Sequence, residues 1–100
     1  MRRGTTPTHT FNLSLDESLI KEIKIIYAQS DEQLFCKRKS DCVFEGTTVK
    51  TTLSQEETFK FDCKKMVQIQ IRALTTDGQA PSTEIILVPV EKCLDDEVLT

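Results

Sequence analysis

Residues 67–74, Val-Gln-Ile-Gln-Ile-Arg-Ala-Leu, alternate along the chain with a strict period of two. That pattern sorts onto two faces only in an extended strand, where successive side chains point to opposite sides of a sheet. Val67, Ile69, Ile71 and Ala73 are therefore expected to face a core, and Gln68, Gln70, Arg72 and Leu74 to face away from it. A lone strand buries nothing, so the rest of the chain must supply partners of the same kind.

It does so in short pieces. Residues 8–13 alternate, with His9, Phe11 and Leu13 on one side and threonines and Asn12 on the other. Residues 14–27 carry two patterns. Ser14 and Glu17 could cap a helix with Leu19, Ile23 and Ile26 on one face. Ile23, Ile25 and Tyr27 instead fit a β-branched strand ended by the polar turn Gln29-Ser30-Asp31-Glu32. The preferred reading is a turn at 15–20 and a strand at 21–28.

Residues 34–39 return as a strand, and Cys42 to Glu45 lead into a turn at Gly46. Residues 47–53 set Val49, Thr51 and Leu53 on one face. Ser54-Gln-Glu-Glu57 is a capping-box pattern that predicts a single helical turn near 55–58. Phe59 and Phe61 are expected to point the same way and close the bottom of the core. Asp77-Gly78 suits a tight reversal, after which residues 84–90 should run back with Ile86, Val88 and Val90 inward. Pro89 lacks the N–H a ladder needs, so that strand belongs at an edge or carries a bulge.

About seven short antiparallel strands, with turn signals roughly every ten residues, predict an all-β, immunoglobulin-like two-sheet sandwich with one helical turn. The expected organisation is a flexible leader at 1–7, one sandwich domain at 8–93 and a solvated acidic tail at 94–100. With 100 residues the chain suffices for a single core.

Composition narrows the chemistry. A formal charge of −3, with Lys and Arg spread along the chain, argues against nucleic acid as a partner. Arg2 and Arg3 imitate the start of a signal peptide, but residues 4–10 are polar and no apolar core follows. No stretch is apolar enough for a membrane span. Asn12-Leu13-Ser14 matches a glycosylation sequon and is read as coincidence in a chain expected in the cytosol.

Cys36, Cys42, Cys63 and Cys93 lack any Cys-x-x-Cys spacing, which points to free thiols rather than a metal site or disulfides in a reducing compartment. His9 is the only histidine, and its phase with Phe11 and Leu13 makes it a strand residue lying against the core. No catalytic set, metal site or cofactor site is expected. Gly4-Thr-Thr-Pro7 has one glycine and no following lysine, so it is no phosphate cradle. Lys37-Arg38-Lys39 reads as a solvated strand edge.

One feature suggests protein contact. With Ile86, Val88 and Val90 inward, Ile85 and Leu87 face outward, and Leu74 lies on the outer face of the preceding strand. These three residues are the candidate protein interface, toward a partner or a second copy; the alternative is that a loop or a second core layer covers them.

Several segments also resemble a known family. They are Arg3-Gly-Thr-Thr-Pro-Thr-His-Thr-Phe11, Leu19-Ile-Lys21, Tyr27-Ala-Gln29, Leu53-Ser-Gln-Glu-Glu-Thr-Phe-Lys-Phe61, Val67-Gln-Ile-Gln-Ile-Arg72, Thr75-Thr-Asp-Gly78 and Cys93-Leu-Asp-Asp-Glu-Val-Leu99. The set, spread nearly end to end, resembles uncharacterised prophage-encoded proteins of Firmicutes of about this chain's length. The family brings no catalytic or binding residues with it. The resemblance implies a non-enzymatic phage structural or assembly protein of the tail or baseplate, made in the host cytoplasm and carried in the virion. The alternative is an intracellular phage protein that binds and modulates a host protein. A carbohydrate-binding module of the virion is a weaker third, since the chain has no Trp and one Tyr.

Overall fold

The computed structural model describes residues 1–100. It is an all-β sandwich of two antiparallel sheets. Its strands are β1 (Thr8–Asn12), β2 (Ile20–Gln29), β3 (Glu32–Arg38), β4 (Cys42–Glu45), β5 (Thr48–Thr52), β6 (Val67–Thr75) and β7 (Ile86–Val88). One sheet runs β1-β5-β4 and the other β3-β2-β6-β7. The only α-helical turn, α1 (Gln55–Thr58), falls where the capping box predicts it.

Alternation decides what is buried. From β2 come Ile23, Ile25 and Tyr27, from β6 Val67, Ile69 and Ile71, and from the β5 arm Val49, Thr51 and Leu53, all at 2% exposure or less. Phe61 joins them, and partly buried residues such as Phe11, Leu13, Phe35 and Phe44 pack around the cluster. At about 25 cal/mol per Å² of apolar surface removed from water, each large core side chain contributes roughly 2 kcal/mol.

The disputed segment resolves in favour of the strand. Asp16 caps a single 3-10 turn at Glu17–Leu19, its carboxylate accepting from Ser18 N at 3.0 Å. β2 then runs for ten residues. Hydrophobic spacing of two at Ile23, Ile25 and Tyr27 prevails because β6 and the facing sheet cover that face. Ser30 and Asp31 close the β2–β3 hairpin with φ of 51° and 63°. Both central residues of this tight turn are left-handed, as a two-residue hairpin loop prefers.

Several expectations need correction. Residues 1–7 are not a free leader. Arg2 bridges Glu91 in parallel, Gly4 N donates to Thr58 Oγ1 at 2.9 Å, and Arg3 Nη2 donates to the Phe59 carbonyl at 3.0 Å. The segment lacks hydrophobic period, so its docking through backbone and guanidinium bonds left no pattern to read.

Phe59 does not join Phe61. It follows α1 directly, where period two does not hold, and its ring lies under Gly4 and the Arg3 guanidinium. The tail at 94–100 is largely exposed, yet Leu99 is tied to Gln55 by two bonds of 2.9 Å.

The strand expected over 84–90 shrinks to β7, an edge strand of three residues. Residues 79–83 first run beside β6, with Ala73 N donating to Pro81 O and Thr83 N to Ile71 O. Ile86 pairs with Ile69 and so shares the core side, but it stays 40% exposed because it sits at the sheet's rim. Val90 is buried as expected and Val88 is half-buried.

Candidate interaction surface

The residues most suggestive of chemistry lie between the sheets. His9 pairs with Thr51, and Thr51 with Cys42, so the three form one row across β1, β5 and β4. His9 Nδ1 shares a 2.7 Å hydrogen bond with the Tyr27 hydroxyl of the facing sheet. The two rings stack at 5.7 Å, and Tyr27 stacks in turn on Phe35 at 4.9 Å.

Burial pushes the His9 imidazole below its ordinary value and the Tyr27 hydroxyl well above its own, so the pair is neutral. Burial likewise raises the Cys42 thiol. Two strand spacings hold the His9 and Cys42 backbones about 10 Å apart, with Thr51 between them. A thiolate nucleophile needs a lowered thiol and a base within hydrogen-bond reach. This row has neither; what it provides is a hydrogen-bonded, stacked contact between the two sheets.

The basic cluster at 37–39 divides by face. Lys37 turns inward and pairs with Glu57 of α1 at 2.7 Å, its side chain only 12% exposed. Burial works to raise the Glu57 carboxyl, but the Lys37 ammonium and the Ser54 N–H outweigh it and the net shift is downward. Lys39 donates to the Ile20 carbonyl at 2.8 Å. Arg38 alone keeps the solvated position expected of all three.

What remains open is the outer face of the four-stranded sheet. Directly opposed residues of antiparallel strands share a face, so the register gives three rows. Arg38, Lys24 and Arg72 form the first, and Cys36, Ile26 and Gln70 the second. Gln33, Ala28, Gln68 and Leu87 form the third. Between the last two lies a shallow hollow of about 240 Å³ whose apolar lining is Ile26, Ala28 and Ile85.

Two of the three interface residues read from the sequence belong here. Ile85 is 52% and Leu87 58% exposed. Leu74 is half-buried and separate. It pairs with Glu22, six residues along β6 from the Gln68 that opposes Leu87, or about 20 Å away. It lines a second hollow of about 230 Å³ with Arg72, Ala73 and Ala80.

Sequence reasoning missed Ile26 and Ala28, although both are out of phase with Ile25 and Tyr27 and were legible as outward residues. The basic row could not be found that way, since it exists only through the pairing of three strands.

No helix is long and apolar enough to cross a membrane. No three His, Cys, Asp or Glu side chains come together as a metal-holding group, and the four cysteines are unpaired and half-buried. Comparison with known proteins gives no second route to identity: no family model, curated protein or solved structure matches the chain.

Proposed function

We propose that this chain is a non-enzymatic structural or assembly protein of a phage or prophage, a tail- or baseplate-associated module that works through protein–protein contact. The observation that carries the contact is the outer face of the four-stranded sheet, where Ile26, Ala28, Ile85 and Leu87 lie among Gln33, Gln68 and Gln70. Ile85 and Leu87 are more than half exposed and Ile26 and Ala28 half-buried, and exposed apolar side chains grouped on one face of a small domain mark contact surfaces. The phage context rests on the family resemblance of the sequence.

The thinness of the molecule agrees with this reading. Its extents are 47 × 29 × 16 Å and only 14 of 100 residues are buried, so much of the chain's apolar surface is left for neighbours. A glycan-binding role fits less well. No aromatic side chain is among the exposed large hydrophobics, and such sites use aromatic platforms.

Affinity-tagged protein recovered from induced cells tests the reading. Co-purification of phage tail components supports it. Recovery of a host protein alone would replace it with the alternative, a phage protein that modulates a host target.

A further inference from the structure

The outer face is also electrically uneven. The row Arg38–Lys24–Arg72 sets three cations side by side across neighbouring strands, an arrangement that costs stability when nothing answers it. Lys21 and Lys39 line an adjoining hollow with Arg38. Two acids lie beside these five cations, Glu22 in both hollows and Asp41, whose carboxylate accepts from Arg38 N at 2.9 Å, on a chain whose net charge is −3. None of the five is ion-paired, since the molecule's ion pairs use Arg2, Arg3, Lys37 and Lys50.

Apolar ground lies on both sides of the row. Leu74 and Ala80 flank it at one end and Ile26 with Ile85 at the other. Leu74 pairs with Glu22, so these two apolar spots are separated by four residues of β2, about 14 Å.

The chain itself carries the matching pattern. Leu94-Asp95-Asp96-Glu97-Val98-Leu99 is an acidic run that, extended, spans about 17 Å and sets Asp95, Glu97 and Leu99 on one face. Leu94 is 95% and Leu99 68% exposed, the two most exposed large hydrophobic side chains of the protein. Asp96 has only a 3.6 Å contact with Arg3 and is itself 86% exposed.

In its own chain this segment rests against α1 through Gln55. α1 meets Lys37, which shares the core side with Ile25, so the segment lies on the other side of the sheet from the basic row.

We propose that the basic row and the Ile26–Ile85 hollow beside it bind the Leu94–Leu99 segment of a second copy of this chain. The inference rests on the reading of the outer face as a protein-contact surface and names its occupant. Asp95 and Glu97 would answer the cations, and Leu99, on the same face of the extended segment, would settle in the Ile26–Ile85 hollow. The two Gln55–Leu99 bonds are given up in exchange. Donor segment and acceptor face are different surfaces, so the contact is heterologous and links copies head to tail rather than in closed pairs.

Sedimentation velocity of the full chain at rising concentration tests this. In low salt the mass is expected to climb past the dimer, and in high salt to fall back to the monomer. The double variants Lys24→Glu/Arg72→Glu and Asp95→Lys/Glu97→Lys should each associate about tenfold more weakly or worse while melting like the parent. Mixed together, they should assemble again, because each reversed surface meets a reversed counterpart.

A parent that stays monomeric in low salt, association that ignores these substitutions, or a mixture that fails to reassemble would overturn the inference. If the parent is monomeric yet still recovers tail components, the second copy is wrong as the occupant and the contact face stands.

Discussion

At the scale of single residues, the seam between the sheets makes a prediction in pH. The His9 imidazole is held below its ordinary value, so the unfolded chain binds its proton first as pH drops. Stability is therefore unaffected by His9 above about 6.5 and falls as pH decreases through that value toward the folded pKa. Thermal melts from pH 8 to 5 should show the decline, and His9→Gln should flatten it. An unchanged slope in that variant would mean that His9 is not the group responsible.

Gly4 makes a second prediction. Its φ is +78°, and a Cβ there would stand 2.6 Å from the Phe59 ring. Gly4→Ala should cost about 1–3 kcal/mol, read as a lowered denaturation midpoint. A neutral result would show that residues 1–5 do not hold against α1. Neither feature was fully legible in the sequence. His9 could be placed on the core side by its phase with Phe11, whereas its partner Tyr27 is 18 positions away. The Gly4–Phe59 approach leaves no periodic trace at all.

At the scale of elements, α1 is a four-residue turn that cannot persist alone. The Glu57 carboxylate accepts from Ser54 N at 2.9 Å and from Lys37 Nζ at 2.7 Å, which joins the turn to β3. Ser54→Ala should cost about 1 kcal/mol through the lost cap. Glu57→Ala should cost more, roughly 1–3 kcal/mol, because it also leaves a mostly buried Lys37 ammonium without its partner. Chemical denaturation of the two variants checks the order, and equal costs would mean the ion pair contributes nothing.

The capping box was readable from four consecutive residues, as was the interior of β6, because both signals are local. The Lys37 contact was not, because three consecutive cations give no local sign that the middle one alone stays in solvent while Lys37 turns to Glu57. Alternation fixes faces within a strand but not which strands are neighbours. It therefore identified Ile85 and Leu87 as outward, yet could not show that Leu74 lies about 20 Å from Leu87 along the sheet.

At the scale of the whole molecule, the protein is a thin slab, and we propose that it works through the outer face of its four-stranded sheet. Two substitutions on it, Ile85→Lys and Leu87→Lys, replace side chains that are mostly in water already. They should leave the melting temperature nearly unchanged and remove the contact. The number of strands and the two-sheet architecture followed from the sequence, since period-two segments with turns between them have few ways to bury one face each. The order β3-β2-β6-β7 and the basic row it creates depend on contacts between distant segments, and became visible only with the fold.

The most direct test of the central claim is quantitative mass spectrometry of purified phage particles from an induced lysogen. The polypeptide should be present in particles carrying the parent chain and lost from those carrying Ile85→Lys/Leu87→Lys. Its absence from particles of the parent would contradict the assignment to the virion.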